Sequence, residues 1–362
     1  MNLLIFDMDG VLLEPLGYHR ALQETVRLAG EACGFGEVRL TTAQIARFEA
    51  LGISSEWHSS ALCMAWMTLQ REIAPDGQVP DWEPLYAAFE RQAPADAPIQ
   101  RGSAALAEIA QEQGVSSDRA VALMVACESI RESPTFNWFQ ELVLGSALFE
   151  RVYGKPAQWS AESCLEKYDR RLLAPDWAQR MLEWTRQPGR GTAIMTSRPS
   201  AGLSGSQGFA QEPDGQLGAD LVGLGALPLI GNGEMRWLAE KLGVSVAQVK
   251  KPAAAHALAA LLAAGGMSVA QSMAVLAKGR DALTRVDLAW LEGGRVTVVE
   301  DTISGLLAMR AAAALLAEVG VHIKVRNIGV AIDPAKLAAL EDMGAVVYPD
   351  VNRALGDVLT TD

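Results

Sequence analysis

The chain has 362 residues, of which 50% are hydrophobic and 20% are charged, with a formal net charge of −12 at pH 7 and a pI near 4.9. This length and composition predict a globular protein with two lobes and enough apolar residues for a substantial core. The acidic balance argues against a nucleic-acid or anionic-membrane partner, because the sequence contains no basic patch, only scattered Arg and the pair Lys250 and Lys251.

The first element is a strand that ends in two carboxylates. The stretch "LLIFDMDGVLLEP", Leu3 to Pro15, contains a continuous apolar run followed by Asp7 and Asp9 and bounded by Gly10. Such a run predicts a strand covered on both faces, as in parallel sheets. The strand would present both carboxylates at its carboxyl end.

The next zone, residues 17 to 187, has a helical pattern. Apolar residues recur every three or four positions in stretches such as "HRALQETVRLAG" and "TTAQIARFEALG", and we find no convincing strand. Two proline-rich stretches, "APDGQVPDWEP" and "APADAPIQRG", divide the zone. We therefore interpret residues 14–187 as an enlarged all-α domain inserted after the first strand.

The last zone, residues 188 to 362, alternates strand-like and helix-like segments. "GTAIMTS", "RVTVVED" and "VHIKVRNIGVAI" have strand character, and helix-like stretches such as "KPAAAHALAALLAAGG" and "SGLLAMRAAAALLAEVG" separate them. This alternation predicts a Rossmann-like parallel sheet wrapped by helices, so residues 1–13 and 188–362 would form one α/β domain. Residues 253–277 contain no Asp, Glu, Lys or Arg, but their polar and glycine interruptions indicate two packed helices rather than a membrane span.

The cysteines and the N-terminus predict a cytoplasmic protein. Four cysteines, Cys33, Cys63, Cys127 and Cys164, show no CxxC spacing and no nearby His pair. Neither a zinc site nor a disulfide framework is therefore indicated, and we expect reduced thiols. The chain also begins directly on a strand, without the basic region and cleavage site of a signal peptide.

Polar residues follow three of the predicted strands. Ligands of open α/β sheets bind where the carboxyl ends of the strands meet. A fourth candidate is Lys251, which precedes Pro252 at a predicted helix start, where proline fits the first turn. The three strand ends read Asp7-Met8-Asp9-Gly10, Thr196-Ser197-Arg198-Pro199 and Glu300-Asp301-Thr302.

These side chains together favour phosphoryl transfer. Converging carboxylates would repel one another, so a divalent cation is the simplest way to keep them ionised. Oxygen ligands favour Mg²⁺, which shares its remaining positions with water and phosphate. One Asp of the pair could act as nucleophile and the other as proton shuttle. Thr196 offers a hydroxyl to a phosphate oxygen, and Lys251 offers a fixed positive charge.

Four stretches, "FDMDGVL", "IMTSRP", "KKPAAAH" and "VVEDTISGLLAMRAA", resemble in order the four motifs of the haloacid dehalogenase superfamily. The resemblance is close to its subfamily of phosphatases and mutases with an α-helical cap after the first motif, such as phosphoglycolate phosphatase and β-phosphoglucomutase. Within the cap, "GYHRALQETV" and "FEALGISSEWHSS" are similar to segments of a less characterised hydrolase group. The resemblance implies the superfamily fold with a helical cap.

The resemblance also implies a role for each motif residue. Asp7 would be the nucleophile and Asp9 the general acid/base. Thr196 would be the phosphate-binding hydroxyl, and Lys251 would stabilise the developing charge. Substrate contacts are expected from Gly10, Ser197, Arg198 and, in the cap, Arg20.

The implied cofactor is Mg²⁺. By resemblance it would be held by Asp7, the backbone carbonyl of Asp9 and Asp301, with Glu300 assisting through water. Positions 302–317 contain no acid, so Glu300 is the candidate for the second carboxylate, an "ED" form found in the β-phosphoglucomutase branch. The spacer between Thr196 and Lys251 is long and contains the Gly-rich stretch "AGLSGSQGFAQEPDGQLG".

Plainer interpretations remain for several residues. "DMDG" alone could be a turn or part of a calcium loop, although the apolar residues that follow lack the alternating oxygen ligands of such a loop. Lys250 and Lys251 could be an ordinary surface pair. Five cap residues could contact substrate or only pack: Tyr18, His19, Arg20, Trp57 and His58.

Three functions are compatible with the pattern. The first is a Mg²⁺-dependent phosphatase that hydrolyses a small phosphorylated metabolite through an aspartyl phosphate. The second is a phosphosugar mutase, which would return the phosphoryl group to another hydroxyl behind a water-excluding cap. The third is a non-catalytic binding protein on the same scaffold. Dehalogenation is disfavoured, because dehalogenases of this superfamily need no Mg²⁺ and no second Asp, and the oligomeric state is not indicated.

Overall fold

The computed structural model describes residues 1–53, 55–77, 80–93, 97–203 and 212–361. Within these ranges, residues 280, 281 and 361 are described by their backbone alone. Parts of both proline-rich stretches and of the Gly-rich stretch after Thr196 lie outside the described residues. The chain forms two compact units: Met1–Pro15 with Asp169–Asp362, and Leu16–Tyr168.

The strands of the first unit are β1 (Asn2–Phe6), β2 (Leu13–Glu14), β3 (Arg170–Arg171), β4 (Arg190–Met195), β5 (Leu229–Ile230), β6 (Arg295–Glu300), β7 (Lys324–Val330) and β8 (Val346–Tyr348). Six of them form a parallel sheet with the order β5-β4-β1-β6-β7-β8. The other two, β2 and β3, form a separate antiparallel ribbon.

Seventeen α-helices lie in the described parts of the chain. The second unit contains α1 (Leu16–Ala32), α2 (Thr42–Ala50), α3 (Glu56–Ile73), α4 (Glu83–Arg91), α5 (Pro98–Gln113), α6 (Asp118–Val125), α7 (Pro134–Leu144), α8 (Ser146–Tyr153) and α9 (Cys164–Tyr168). The first unit contains α10 (Pro175–Thr185), α11 (Asp214–Leu221), α12 (Asn232–Leu242), α13 (Ala254–Ala264), α14 (Val269–Leu276), α15 (Ile303–Glu318), α16 (Pro334–Asp342) and α17 (Val351–Thr361).

Strand β1 occupies the middle of the sheet and is buried on both faces. Leu3 and Ile5 belong to the apolar core on one face, whereas Leu4 and Phe6 belong to the core on the other. This is the alternation that a pleated strand imposes on successive side chains. The prediction of a doubly covered strand is therefore confirmed, together with the predicted α/β architecture.

The helical unit ends earlier than the sequence analysis placed its boundary. Residue 187 was the predicted end, but the unit ends at Tyr168. Helix α10 belongs to the α/β unit, where Met181 and Trp184 are buried in the same core as Leu4 of β1. Its amphipathic pattern does not reveal which apolar core it covers, so the sequence grouped it with the preceding helices.

Two local expectations need correction. The zone predicted to lack strands contains the two-residue strand β3, which pairs with β2. Helix α13 begins at Ala254, so Pro252 precedes the helix instead of lying in its first turn, and the Lys251–Pro252 peptide bond is cis. The uncharged stretch forms two helices as predicted, α13 and α14. No helix among the described residues has the length and apolar character needed to cross a membrane.

Candidate functional site

Asp7 follows β1 directly and is held by the neighbouring chain. Its backbone N–H donates to the carbonyl of Val299 in β6 at 2.9 Å. Its Oδ1 atom accepts a hydrogen bond from the N–H of Met8 at 2.7 Å. The residue is only 8% exposed. The carboxylate therefore has one orientation, set by the centre of the sheet.

Lys251 lies between two acidic residues. Its Nζ atom is 2.9 Å from Asp7 Oδ1 and 2.9 Å from Glu300 Oε1, and its side chain is 3% exposed. Burial alone would lower the pKa of Lys251, but the carboxylates of Asp7 and Glu300 outweigh it and raise the pKa. Lys250 is exposed, so of the two lysines only Lys251 reaches this cluster.

A buried histidine fixes the backbone beside this lysine. The N–H of Lys251 donates to His256 Nδ1 at 3.2 Å, and His256 Nε2 donates to the carbonyl of Ile230 at 3.1 Å. Burial, with help from the Lys251 charge, lowers the pKa of His256 to about 3, so the ring is neutral. The same Ile230 carbonyl accepts from the N–H of Thr196 at 3.0 Å. Lys251 and Thr196 are thus tied to one atom at the end of β5.

Three carboxylates converge at the end of β1 and β6. Asp7, Glu300 and Asp301 each offer an oxygen within 4.8 Å of the others. Burial, followed by the charge of Asp7, raises the pKa of Glu300 well above its usual range and also raises that of Asp301. Glu300 Oε2 is buried and has no hydrogen-bond partner among the described residues. An orphaned carboxylate oxygen beside other carboxylates fits the binding of a cation.

Two glycines make room for these carboxylates. A Cβ atom on Gly305 would lie 1.6 Å from Glu300 Oε1, and one on Gly10 would lie 2.4 Å from Asp301 Oδ2. Gly10 also has a φ of +73°, a backbone conformation that other residues rarely adopt. Glycine is therefore required at both positions by the carboxylates that they face.

Lys336 completes the cluster on the side of Asp301. It lies in the first turn of α16, and its Nζ atom is 2.6 Å from Asp301 Oδ2. Its side chain is 53% exposed, so its conformational freedom is larger than that of Lys251. The ion pair opposes the rise in the pKa of Asp301. Lys336 belongs to none of the four motifs and was therefore not predicted as a site residue.

Asp9 is held by Arg198, which is itself buried. Arg198 Nε donates to both carboxylate oxygens of Asp9, at 2.9 and 3.1 Å, and Nη2 lies 2.7 Å from Asp9 Oδ1. The same Nη2 atom is 2.8 Å from Asp169 Oδ2. Arg198 was predicted to bind substrate, and the contacts found are with these two acids. Asp169 was missed, because nothing in "YDRR" distinguishes it from a surface residue.

The charges of the assembled cluster leave a net negative excess. Its ion pairs join three cations to the surrounding acids. When all groups are ionised, Lys251 and Lys336 leave one negative charge uncompensated among the three converging carboxylates, and Arg198 leaves another between its two acids. The cations are Lys251, Arg198 and Lys336, and the acids are Asp7, Asp9, Asp169, Glu300 and Asp301.

The remaining predicted residues are distributed over both units. Ser197 is exposed between Thr196 and Arg198. In the helical unit, the Arg20 guanidinium lies 5.8 Å from the centre of the Tyr168 ring. Other cap candidates contact their own unit: Tyr18 stacks on Phe139, His19 pairs with Glu49, His58 pairs with Glu128, and Trp57 contacts Phe139. Substrate contacts by these residues stay predictions.

Comparison with known proteins supports the fold. An X-ray structure of a Northeast Structural Genomics Consortium target is similar to this chain, with a TM-score of 0.66 and 16% sequence identity over 99% of each chain. At this identity the similarity concerns the fold alone. No family model and no curated protein matches the sequence.

Proposed function

We propose that the chain is a Mg²⁺-dependent phosphatase that hydrolyses a small phosphorylated metabolite through an aspartyl phosphate on Asp7. The observation that carries this proposal is the position of Lys251 Nζ, 2.9 Å from both Asp7 and Glu300. A buried nucleophile candidate beside a fixed cation and an acidic cluster suits the transfer of an anionic group. The motif resemblance supports the same reaction class.

Asp7, Asp301 and the backbone carbonyl of Asp9 would hold Mg²⁺, with Glu300 assisting through water. All of these ligands are oxygens, which Mg²⁺ prefers. The orphaned Glu300 oxygen and the convergence of three carboxylates support a divalent cation at this place. When bound, the ion would neutralise charge on the transferring phosphoryl group.

The first chemical step belongs to Asp7 and Asp9. An Asp7 oxygen attacks phosphorus as the ester P–O bond breaks, and the Asp9 carboxyl gives its proton to the leaving oxygen. Thr196 donates its hydroxyl to a phosphate oxygen, and Lys251 stabilises the developing charge. The products of this step are an alcohol and an aspartyl phosphate.

The second step regenerates the enzyme. Water attacks the phosphorus atom, Asp9 takes the proton of that water, and the bond between phosphorus and the Asp7 oxygen breaks. Inorganic phosphate leaves. Asp9 thus acts first as an acid and then as a base, and its carboxylate needs a fixed position in both steps.

We also propose a cytoplasmic location. None of the four cysteines forms a disulfide among the described residues, and Cys63, Cys127 and Cys164 are buried. Burial raises the pKa of Cys63 and Cys127, which disfavours the reactive thiolate form. Cysteines that form no disulfide and have thiols of low reactivity suit a reducing compartment.

A phosphate-release screen tests the function. The purified full chain is incubated with p-nitrophenyl phosphate and a panel of phosphorylated metabolites, with Mg²⁺ or with EDTA. We expect release of inorganic phosphate that requires Mg²⁺. Isomerisation of a sugar phosphate without release would support the mutase instead, and the absence of any turnover across the panel would contradict the enzymatic proposal.

A further inference from the structure

We propose that Asp169 is a positioning residue for the proton transfer, and that it acts by holding the Arg198 guanidinium in the orientation that fixes the Asp9 carboxylate. This inference rests on the proposed function, since it assigns Asp9 the proton-transfer role. It adds a residue that lies outside all four motifs, at the start of the segment that returns the chain to the α/β unit.

The three side chains are in contact and differ in their exposure. The side chains of Asp169 and Arg198 are each 1% exposed, whereas that of Asp9 is 34% exposed. Arg198 Nη2 lies between the acids, 2.7 Å from Asp9 and 2.8 Å from Asp169. A buried guanidinium needs a buried anion, and Asp169 supplies one at the same Nη2 atom that contacts Asp9.

The backbone of Arg198 is fixed independently of Asp169. Its N–H donates to Thr196 Oγ1 at 3.1 Å, and its carbonyl accepts from the N–H of Asn232 at 2.8 Å. Loss of the Asp169 charge would therefore change the direction of the guanidinium and leave the loop in place.

The direction of the guanidinium determines the orientation of the Asp9 carboxyl group, because Asp9 lies in a turn after the strand. Arg198 Nε binds both Asp9 oxygens, which fixes the plane of the carboxyl group. In the first step the O–H bond of the Asp9 carboxyl breaks, and its proton moves to the ester oxygen as the P–O bond breaks. A misdirected carboxyl group would slow this transfer most for leaving groups that need the proton.

The test compares two leaving groups in wild type and Asp169→Asn. The substrates are p-nitrophenyl phosphate, whose nitrophenolate leaves readily without a proton, and the alkyl phosphate hydrolysed fastest in the screen. The readout is kcat/KM, which covers the steps up to formation of the aspartyl phosphate and leaves out its hydrolysis. We expect kcat/KM to fall roughly ten- to a hundredfold for the alkyl phosphate and at most about threefold for p-nitrophenyl phosphate.

A matched control separates positioning from stability. Glu141 is another buried acid, in the helical unit, where it accepts hydrogen bonds from Ser146 and from the N–H groups of Gln158 and Trp159. Glu141→Gln should lower thermal stability and change kcat/KM equally for both substrates. If Asp169→Asn is insoluble, Asp169→Ser replaces it.

An equal fall for both substrates, or no fall, in the Asp169 variant would overturn the inference while leaving the phosphatase intact. If the wild type hydrolyses neither substrate, the proposed function itself fails, and the inference fails with it.

Discussion

Replacing Gly305 with alanine perturbs the acidic cluster without removing any of its charges. A Cβ atom at this position would lie 1.6 Å from Glu300 Oε1, so the carboxylate must retreat by about 2 Å to reach ordinary contact. That movement separates Glu300 from Lys251 Nζ, which lies 2.9 Å away. Lys251 keeps its contact with Asp7, so the charge pair is weakened and not abolished.

The size of the effect follows from two opposing terms. Disrupting a buried ion pair costs about 3–5 kcal/mol when one partner is removed, and the remaining Asp7 contact places Gly305→Ala at the lower end of that range. Alanine gains about 1 kcal/mol over glycine inside a helix, and Gly305 lies in α15. We therefore expect a net loss of roughly 2–3 kcal/mol in the free energy of unfolding.

Gly356 provides the matched control. It also lies inside a helix of the α/β unit, α17, but a Cβ there would meet Trp177 at an ordinary 3.7 Å. Gly356→Ala should stabilise the protein by about 0.5–1 kcal/mol. Urea denaturation of both variants measures the two values. A Gly305→Ala variant as stable as Gly356→Ala would refute the reasoning that Glu300 is held against this glycine by Lys251.

Two further predictions concern the lysine at Asp301 and the buried histidine. Lys336→Met should tighten Mg²⁺ binding roughly three- to tenfold in calorimetry, because it removes a positive charge from beside the Asp301 carboxylate. The control Lys167→Met, on the exposed surface of the helical unit, should leave the Mg²⁺ affinity unchanged. Weaker Mg²⁺ binding in Lys336→Met would contradict the prediction and show that Lys336 orients Asp301 and does not compete with the ion. The pKa of His256 falls to about 3 on folding. Its contribution to the free energy of unfolding is therefore complete above the usual histidine pKa of about 6.5 and is lost as the pH falls toward 3. Between pH 7 and pH 5 the free energy of unfolding should decrease by about 2 kcal/mol through this residue. This decrease should be absent in His256→Asn. If the free energies of unfolding of wild type and variant differ by the same amount at pH 7 and at pH 5, the neutral, buried ring is contradicted.

The apolar pattern of the sequence predicted much of the fold. The run before Asp7 predicted a doubly covered strand, and the alternation after residue 188 predicted the parallel sheet. The two-residue strand β5 and the three-residue strand β8 were missed, because strands this short show no readable alternation. Helix α10 was assigned to the wrong unit, since periodicity gives the width of an apolar face and not the partner that covers it.

The site was predictable where its residues follow strands. Asp7, Thr196 and Glu300 stand at the ends of three neighbouring strands, so sheet topology alone brings them to one edge. Lys336 and Asp169 reach the cluster from segments with no such rule. Their contacts depend on tertiary packing, which a single sequence does not display. The hydrogen bond from His256 to Ile230 joins residues 26 positions apart, and it could not be predicted for the same reason.

The central claim is that Asp7 is the nucleophile, and one variant tests it most directly. Wild type and Asp7→Asn are assayed for phosphate release with Mg²⁺, and acid-quenched samples are analysed by mass spectrometry for a phosphoryl group on residue 7. We predict that Asp7→Asn remains folded by thermal denaturation, loses activity by at least roughly 10³-fold and carries no phosphoryl group, whereas wild type does. A folded Asp7→Asn variant with full activity would contradict the account.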